Sequence, residues 1–167
     1  MKQFNLEIYQ NNLKKLEEIF IDLFDNDPKR ITGSLLGFYS ELLICILLHL
    51  NLANPNSKDY DAIDMKGKKY QVKSRMILDD GKRGKKEFGG VKPKNNCFGF
   101  DFLILVAFFD DIRKYEIYKI NAANIQKIYK EPNKKSGYAF YFSKEINSNF
   151  QKGIKNKSIE IIDLKER

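Results

Sequence analysis

The chain has 167 residues, 43% hydrophobic and 31% charged, and its 30 Lys and Arg against 22 Asp and Glu give a formal net charge of +8. That is enough chain, and enough apolar content, for one self-sufficient domain, which excludes a disordered segment or a disulfide-dependent miniprotein. The basic excess suits a polyanionic partner, since lysines that neutralise phosphates release condensed counterions, although lysines also solvate any surface.

Asn5 to Phe24 carries apolar residues at Leu6, Tyr9, Leu13, Leu16, Phe20 and Leu23, a spacing that predicts an amphipathic helix. Asp27-Pro28 ends it. A second helix, capped by Thr32 or Ser34, is expected to run to about Asn51. It is apolar on nearly every side and should be well covered. Its apolar stretch is broken by Glu41 and His49, and a membrane span needs about 20 apolar residues, so a buried helix is expected and no membrane partner. Asn51 to Lys58 reads as a loop. Tyr60 to Asp64 and Lys69 to Met76 read as two strands around the turn Met65-Lys66-Gly67-Lys68. Ile77 to Gly99 is rich in glycine and lysine without periodicity and reads as a long basic loop. Phe102 to Phe109 has the continuous apolar run of a buried central strand. The chain turns at Asp110-Asp111 and returns over Lys114 to Ile120, and Asn121 caps a short helix over Ala122 to Tyr129. A strand at Tyr138 to Phe142, a helix at Ser143 to Phe150 and a peripheral strand at Ser158 to Leu164 complete the expectation, in one domain over residues 1–167. No export signal opens the sequence, and Cys45 and Cys97 lack metal-ligand spacing, so a cytoplasmic location is expected.

The chemistry concentrates on the hairpin. Gln71 and Lys73 are two apart on one strand, so they share a face, while Val72 points the other way. Folding about Gly67 brings Asp61 opposite them. A regular two-residue turn would pair Asp61 with Val72 and put it on the wrong face, so an odd-length loop or a bulge is required. A hard cation such as Mg²⁺ takes oxygen ligands, stabilises charge on a phosphate and lowers the pKa of a bound water. In that scheme Asp61 is the principal ligand, Gln71 a neutral oxygen ligand, the Val72 carbonyl a further one, and Lys73 positions the water or stabilises developing charge. Asp59 and Asp64 are alternatives to Asp61. Ser74 reads as structural, and the lone His49 leaves no histidine-based chemistry.

The stretches Tyr60-Asp61-Ala62-Ile63-Asp64 and Gly67-Lys68-Lys69-Tyr70-Gln71-Val72-Lys73-Ser74-Arg75, followed by Phe100-Asp101-Phe102-Leu103-Ile104-Leu105-Val106, resemble the PD-(D/E)xK nuclease superfamily, in particular its small members related to type II restriction enzymes. The resemblance covers about Ser34 to Ile120, leaving the N-terminal helix (3–26) and residues 121–167 as additions. It departs from the family at Tyr60, where proline is usual, and at Gln71, where an acid is usual; glutamine lacks the charge to hold a cation strongly. The resemblance implies an α/β (α+β) fold with a restriction-endonuclease-like mixed central sheet flanked by helices. It also implies Mg²⁺ dependence, with Mn²⁺ an alternative, and a DNA substrate. Glu41, on the polar strip Ser34-Gly37-Glu41 of the second helix, becomes an added acidic group at the metal site.

The function expected is a Mg²⁺-dependent DNA endonuclease of restriction or defence type, acting as a homodimer so that two sites cut two strands. A repair or junction-resolving nuclease, or a non-catalytic DNA-binding module, are the alternatives. Arg75 and the basic residues Lys82, Arg83, Lys85 and Lys86 are the expected DNA contacts.

Overall fold

The computed structural model describes residues 6–26, 33–57, 59–77, 87–95, 97–109, 111–128, 137–141 and 149–162. Helices α1 (Leu6–Asn26) and α2 (Gly33–Leu48) pack together over one face of a sheet. Phe20 of α1 is fully buried and meets Tyr39 of α2 edge to face, ring centroids 5.3 Å apart. The Tyr39 hydroxyl donates to Glu17 Oε1 at 3.0 Å, tying the two helices by a polar bond as well. Within α2 the buried Ser40 hydroxyl donates back to the Leu36 carbonyl at 2.6 Å, so nothing polar is stranded there. The helix stops short of Asn51 because His49 turns left-handed (φ 53°) and Leu50 N–H caps the Cys45 carbonyl at 2.9 Å.

The main sheet is mixed. Its strands are β1 (Asn51–Leu52), β2 (Ala62–Ile63), β3 (Lys69–Ile77), β5 (Phe102–Phe109), β6 (Asp111–Asn121) and β8 (Ile159–Ile162), in the order β1-β2-β3-β5-β6-β8. Among the described residues only β3 and β5 run parallel, from Tyr70 beside Phe102 to Ile77 beside Phe109; the other pairs of this sheet are antiparallel. A parallel pair needs a crossover, and the chain between them supplies β4 (Glu87–Val91), which pairs with β7 (Tyr138–Tyr141) in a separate two-stranded ribbon.

The sequence of β5 is apolar throughout because both of its faces are covered. Ile104, Val106 and Phe108 lie in the layer under α1 and α2, with Tyr70 and Val72. Leu103, Leu105 and Ala107 lie in the opposite layer, with Phe88, Tyr138, Phe140 and Phe150. That second layer is closed by α3 (Ala122–Ile128) and α4 (Asn149–Lys155). Asn121 caps α3 as expected, its Oδ1 accepting from Ala123 N–H at 2.9 Å.

Besides the earlier end of α2, several expectations change, and the strand expected at Tyr60–Asp64 shortens to Ala62–Ile63. The segment read as a loop at 51–58 begins with the short strand β1, and the long basic loop contains β4. Phe88 and Val91, set around Gly89 and Gly90, bury into the second layer, a pattern too brief to register as a strand in sequence. The helix expected at Ser143–Phe150 is described only from Asn149, and it continues to Lys155. The N- and C-terminal additions are integral to the packing: α1 shares the first core, and β8 is an edge strand of the main sheet. Among the described residues, no helix is long and apolar enough to cross a membrane. Thr32, the break at Asp27-Pro28, Asp110 and the helix positions 143–148 lie outside the described residues.

Candidate catalytic site

The odd register required for Asp61 is present. Asp64 and Lys68 close a three-residue turn, Asp64 N–H to Lys68 carbonyl at 3.0 Å, with Gly67 left-handed at φ 81°. Few residues other than glycine adopt that conformation without strain. The Asp64 carboxylate is spent on the turn itself: Oδ1 accepts from Lys66 N–H at 2.9 Å and Lys68 N–H at 2.8 Å. Asp59 is engaged by Lys94, Nζ to Oδ1 2.6 Å. Of the three aspartates considered from sequence, only Asp61 meets Gln71.

The pairs Ile63–Lys69 and Ala62–Tyr70 set Asp61 level with Gln71. Its backbone is held from both sides: Asp61 N–H donates to the Tyr70 carbonyl at 2.8 Å, and Ala53 N–H donates to the Asp61 carbonyl at 2.8 Å. Since β2 begins only at Ala62, the N–H of Val72 goes to a side chain, Asp61 Oδ2, at 2.7 Å. The Gln71 amide nitrogen donates to the same oxygen. Gln71 is therefore arranged as a donor to Asp61; the sequence reading cast it as an oxygen ligand. The same Nε2 lies 3.5 Å from the Val72 carbonyl, at the limit of a hydrogen bond.

Gln71 and Lys73 lie beside Leu103 and Leu105 of β5 and share their face of the sheet. Val72 is buried in the opposite layer, as expected, and Ser74 on that side donates to the Leu36 carbonyl of α2 at 3.4 Å. Arg75 is exposed farther along the Lys73 face. Lys82, Arg83, Lys85 and Lys86 lie outside the described residues.

Glu41 enters from α2. Partial burial, then the neighbouring Asp61 charge, push its carboxyl up to about 7, against the opposing pull of Lys73. Asp61 is raised as well, chiefly by burial, with the Val72 N–H and the Lys73 ammonium holding it down. One turn beyond Glu41, the buried Cys45 thiol is pushed up to about 12 by burial and by both carboxylates. Glu41, Asp61 and Lys73 thus share one electrostatic neighbourhood, in which burial is the main reason that both carboxyls are raised.

Two carboxylates short of a compensating cation have the donor chemistry of a hard divalent ion's site. The set is small. Among the described residues, no three His, Cys, Asp or Glu side chains converge to hold a metal. Asp61 and Glu41 are the two carboxylates of this neighbourhood, with Gln71 bracing Asp61.

One organising residue escaped the sequence reading. Asp101, just before β5, accepts from Lys69 N–H at 2.9 Å and Lys68 Nζ at 2.9 Å, and its backbone bonds Lys69 and Ala122. Those donors, the Lys69 N–H foremost, hold its carboxyl below the usual range. Asp101 thereby fastens the hairpin carrying Asp61 and Lys73 to the start of β5 and α3. The only signal in sequence is a lone acid opening an apolar strand. No protein-family model matches the chain, and no curated protein matches it, so the resemblance stands on the motif residues and their arrangement.

Proposed function

We propose that this chain is a divalent-cation-dependent deoxyribonuclease that hydrolyses DNA phosphodiester bonds, with Asp61, Glu41 and Lys73 as its reactive groups. The observation that carries this reading is the nearness of two raised carboxylates: Asp61 and Glu41 both lie above their ordinary pKa, Asp61 acts on Glu41, and one lysine, Lys73, draws both down. Burying two carboxylates beside a single lysine costs stability, and functional sites are where such costs concentrate. Asp61 and Glu41 would hold Mg²⁺ or Mn²⁺, which when bound stabilises charge on a scissile phosphate and lowers the pKa of a water.

The chain's own contributions follow from its hydrogen bonds. Gln71 Nε2 and Val72 N–H both fall on Asp61 Oδ2, which orients the carboxylate and leaves Oδ1 as the oxygen for a ligand. Lys73, on the same face as Gln71, is the ammonium available to orient a nucleophile or to stabilise charge developing on phosphate. A restriction or defence role, with a homodimer to cut both strands, is the setting in which a small single-site domain serves best. Incubation of plasmid DNA with the protein and Mg²⁺, beside Asp61→Ala and Lys73→Ala, tests the reading. Nicking or linearisation lost in both variants is expected; cleavage that survives both overturns the assignment.

A second reading is a DNA-binding module with the nuclease-like hairpin and no cleavage. It is favoured by Gln71, whose amide nitrogen takes up Asp61 where an acid would join it as a ligand. Salt-dependent DNA binding without cleavage in Mg²⁺ or Mn²⁺ would select it.

A further inference from the structure

A second feature lies two residues upstream of Asp61. Between β4 and β5 the chain makes a tight hairpin: Lys94 N–H donates to the Cys97 carbonyl at 2.8 Å and Cys97 N–H to the Lys94 carbonyl at 3.0 Å. Asn95 turns it in the left-handed region, φ 49°, a conformation asparagine tolerates better than most residues. The base is rooted in the core layer on the Gln71 and Lys73 side of the sheet. Val91 and Phe100 are buried there, and the Phe98 ring sits 5.2 Å from Phe100 and 5.9 Å from Tyr138.

Two independent contacts dock this hairpin on Asp59. Lys94 Nζ is 2.6 Å from Asp59 Oδ1. The backbone at Gly99 passes so close that a Cβ there would lie 2.4 Å from Asp59 Cβ, which no side chain could occupy without moving the segment. The hairpin is thereby held against the segment that leads into Asp61, with Lys92, Lys94 and Asn95 exposed. Next to Asp61 in the chain, the Tyr60 ring has Lys69 Nζ of β3 4.9 Å over it. The Lys94–Asp59 pair is itself open to water, with the lysine 69% exposed, and so exposed a pair adds little to stability. So exposed an ammonium, although paired with Asp59, stays accessible to a phosphate as a second partner.

We propose that the Lys94–Cys97 hairpin is a DNA-backbone contact, with Lys92 and Lys94 neutralising phosphates of a duplex whose strand lies at Asp61. This rests on the nuclease reading above for the identity of the polyanion. Asp59 and Gly99 are positioning residues: they set where the lysines stand and touch no substrate.

The test is fluorescence anisotropy of a labelled DNA duplex with the full chain in metal-free buffer, titrated across salt. Each phosphate contact contributes about 0.9 to the slope of log affinity against log salt, so Lys92→Ala/Lys94→Ala should lower that slope by about 1.8 and weaken binding roughly tenfold or more. Lys94→Arg should restore its share. Lys14→Ala on α1 removes equal charge elsewhere and should leave the slope alone. An unchanged slope in the double variant, an equal fall in Lys14→Ala, or no duplex binding by the wild type overturns the proposal. The nuclease reading fails separately: a wild type that binds with the expected slope but cuts nothing in Mg²⁺ or Mn²⁺ leaves the hairpin standing. One that cuts while the double variant keeps its slope sinks the hairpin alone.

Discussion

Gln71 meets Asp61 nitrogen first. Its Nε2 and the Val72 N–H donate to one oxygen, Asp61 Oδ2, so the amide serves the carboxylate as a donor. Gln71 is buried, and exchanging its amide for a carboxylate would set two acids against each other where a hydrogen bond stood. Gln71→Glu is therefore expected to cost the metal-free protein roughly 1–3 kcal/mol. Because the new acid also enlarges the donor set, Mg²⁺ or Mn²⁺ should raise the melting temperature of this variant more than that of the wild type. Thermal unfolding in EDTA and in each cation measures both effects. A variant as stable as wild type in EDTA would mean that Asp61 does not depend on the Gln71 nitrogen.

Glu41 makes stability depend on pH in an unusual direction for a carboxylate. Its folded pKa, about 7, lies above the ordinary 4.5, so between those values the folded state binds more protons than the unfolded one. Stability should accordingly fall as pH rises from about 4.5 to 7, and Asp61, also raised, pushes the same way. Glu41 is partly open to solvent, and screening reduces its share to about 1–2 kcal/mol. Glu41→Gln should flatten this dependence and be the more stable protein at pH 8. A divalent cation must displace the same proton, so its affinity should weaken as pH falls through 7. Denaturant midpoints at pH 5 and 8, without and with Mg²⁺, give the comparison; a midpoint that rises with pH in the metal-free protein would contradict it.

Lys73 is the cation that draws both acids down, and its loss should be felt before any chemistry. In Lys73→Met the Glu41 carboxyl should titrate above 7, readable by NMR of a carboxyl-labelled sample. DNA cleavage should fall by about 10²-fold or more, the scale on which a positioned acid–base or charge-stabilising group contributes. A Glu41 that titrates unchanged would separate Lys73 from the two carboxylates.

What the sequence made legible was local. The stripe of α1 and the unbroken run of β5 follow from burial on one side and on two faces; α2 was expected to be covered on most sides, but Phe38 stands exposed on it. For Asp61 the sequence set only a condition, that an odd register would be needed to place it beside Gln71; the turn that meets it is seen in the fold. The β4–β7 ribbon was not, since Phe88 and Val91 pair with residues far along the chain and are separated by two glycines. Nor was the orientation of the Gln71 amide, which depends on a carboxylate arriving from the neighbouring strand. The same holds for Asp59, whose partner Lys94 reaches it only once the 94–97 hairpin has folded.

Cys45 and Cys97 should differ sharply in reactivity. Cys45 is fully buried and its thiol is pushed up to about 12, so almost no thiolate is present at neutral pH. Cys97 is exposed on the hairpin. A thiol reagent should label one cysteine per native chain and two after denaturation. Peptide mapping should assign the first to Cys97, and native labelling of Cys45 would show that the layer around Glu41 opens in solution.

The turn at Gly67 fixes which face Asp61 occupies. Gly67 is left-handed, with open space where a Cβ would stand, so a substitution there meets backbone strain and no clash. Gly67→Ala should cost about 1–2 kcal/mol from that conformation alone, and Gly67→Asn distinctly less, because asparagine enters the left-handed region more readily. If the strain is absorbed locally, DNA cleavage in Mg²⁺ should persist in both variants. If alanine instead drives the loop to an even length, Asp61 turns from Gln71 and cleavage should vanish in Gly67→Ala while surviving in Gly67→Asn. Urea unfolding set beside cleavage distinguishes these outcomes, and equal stability of all three proteins would rule out the left-handed turn.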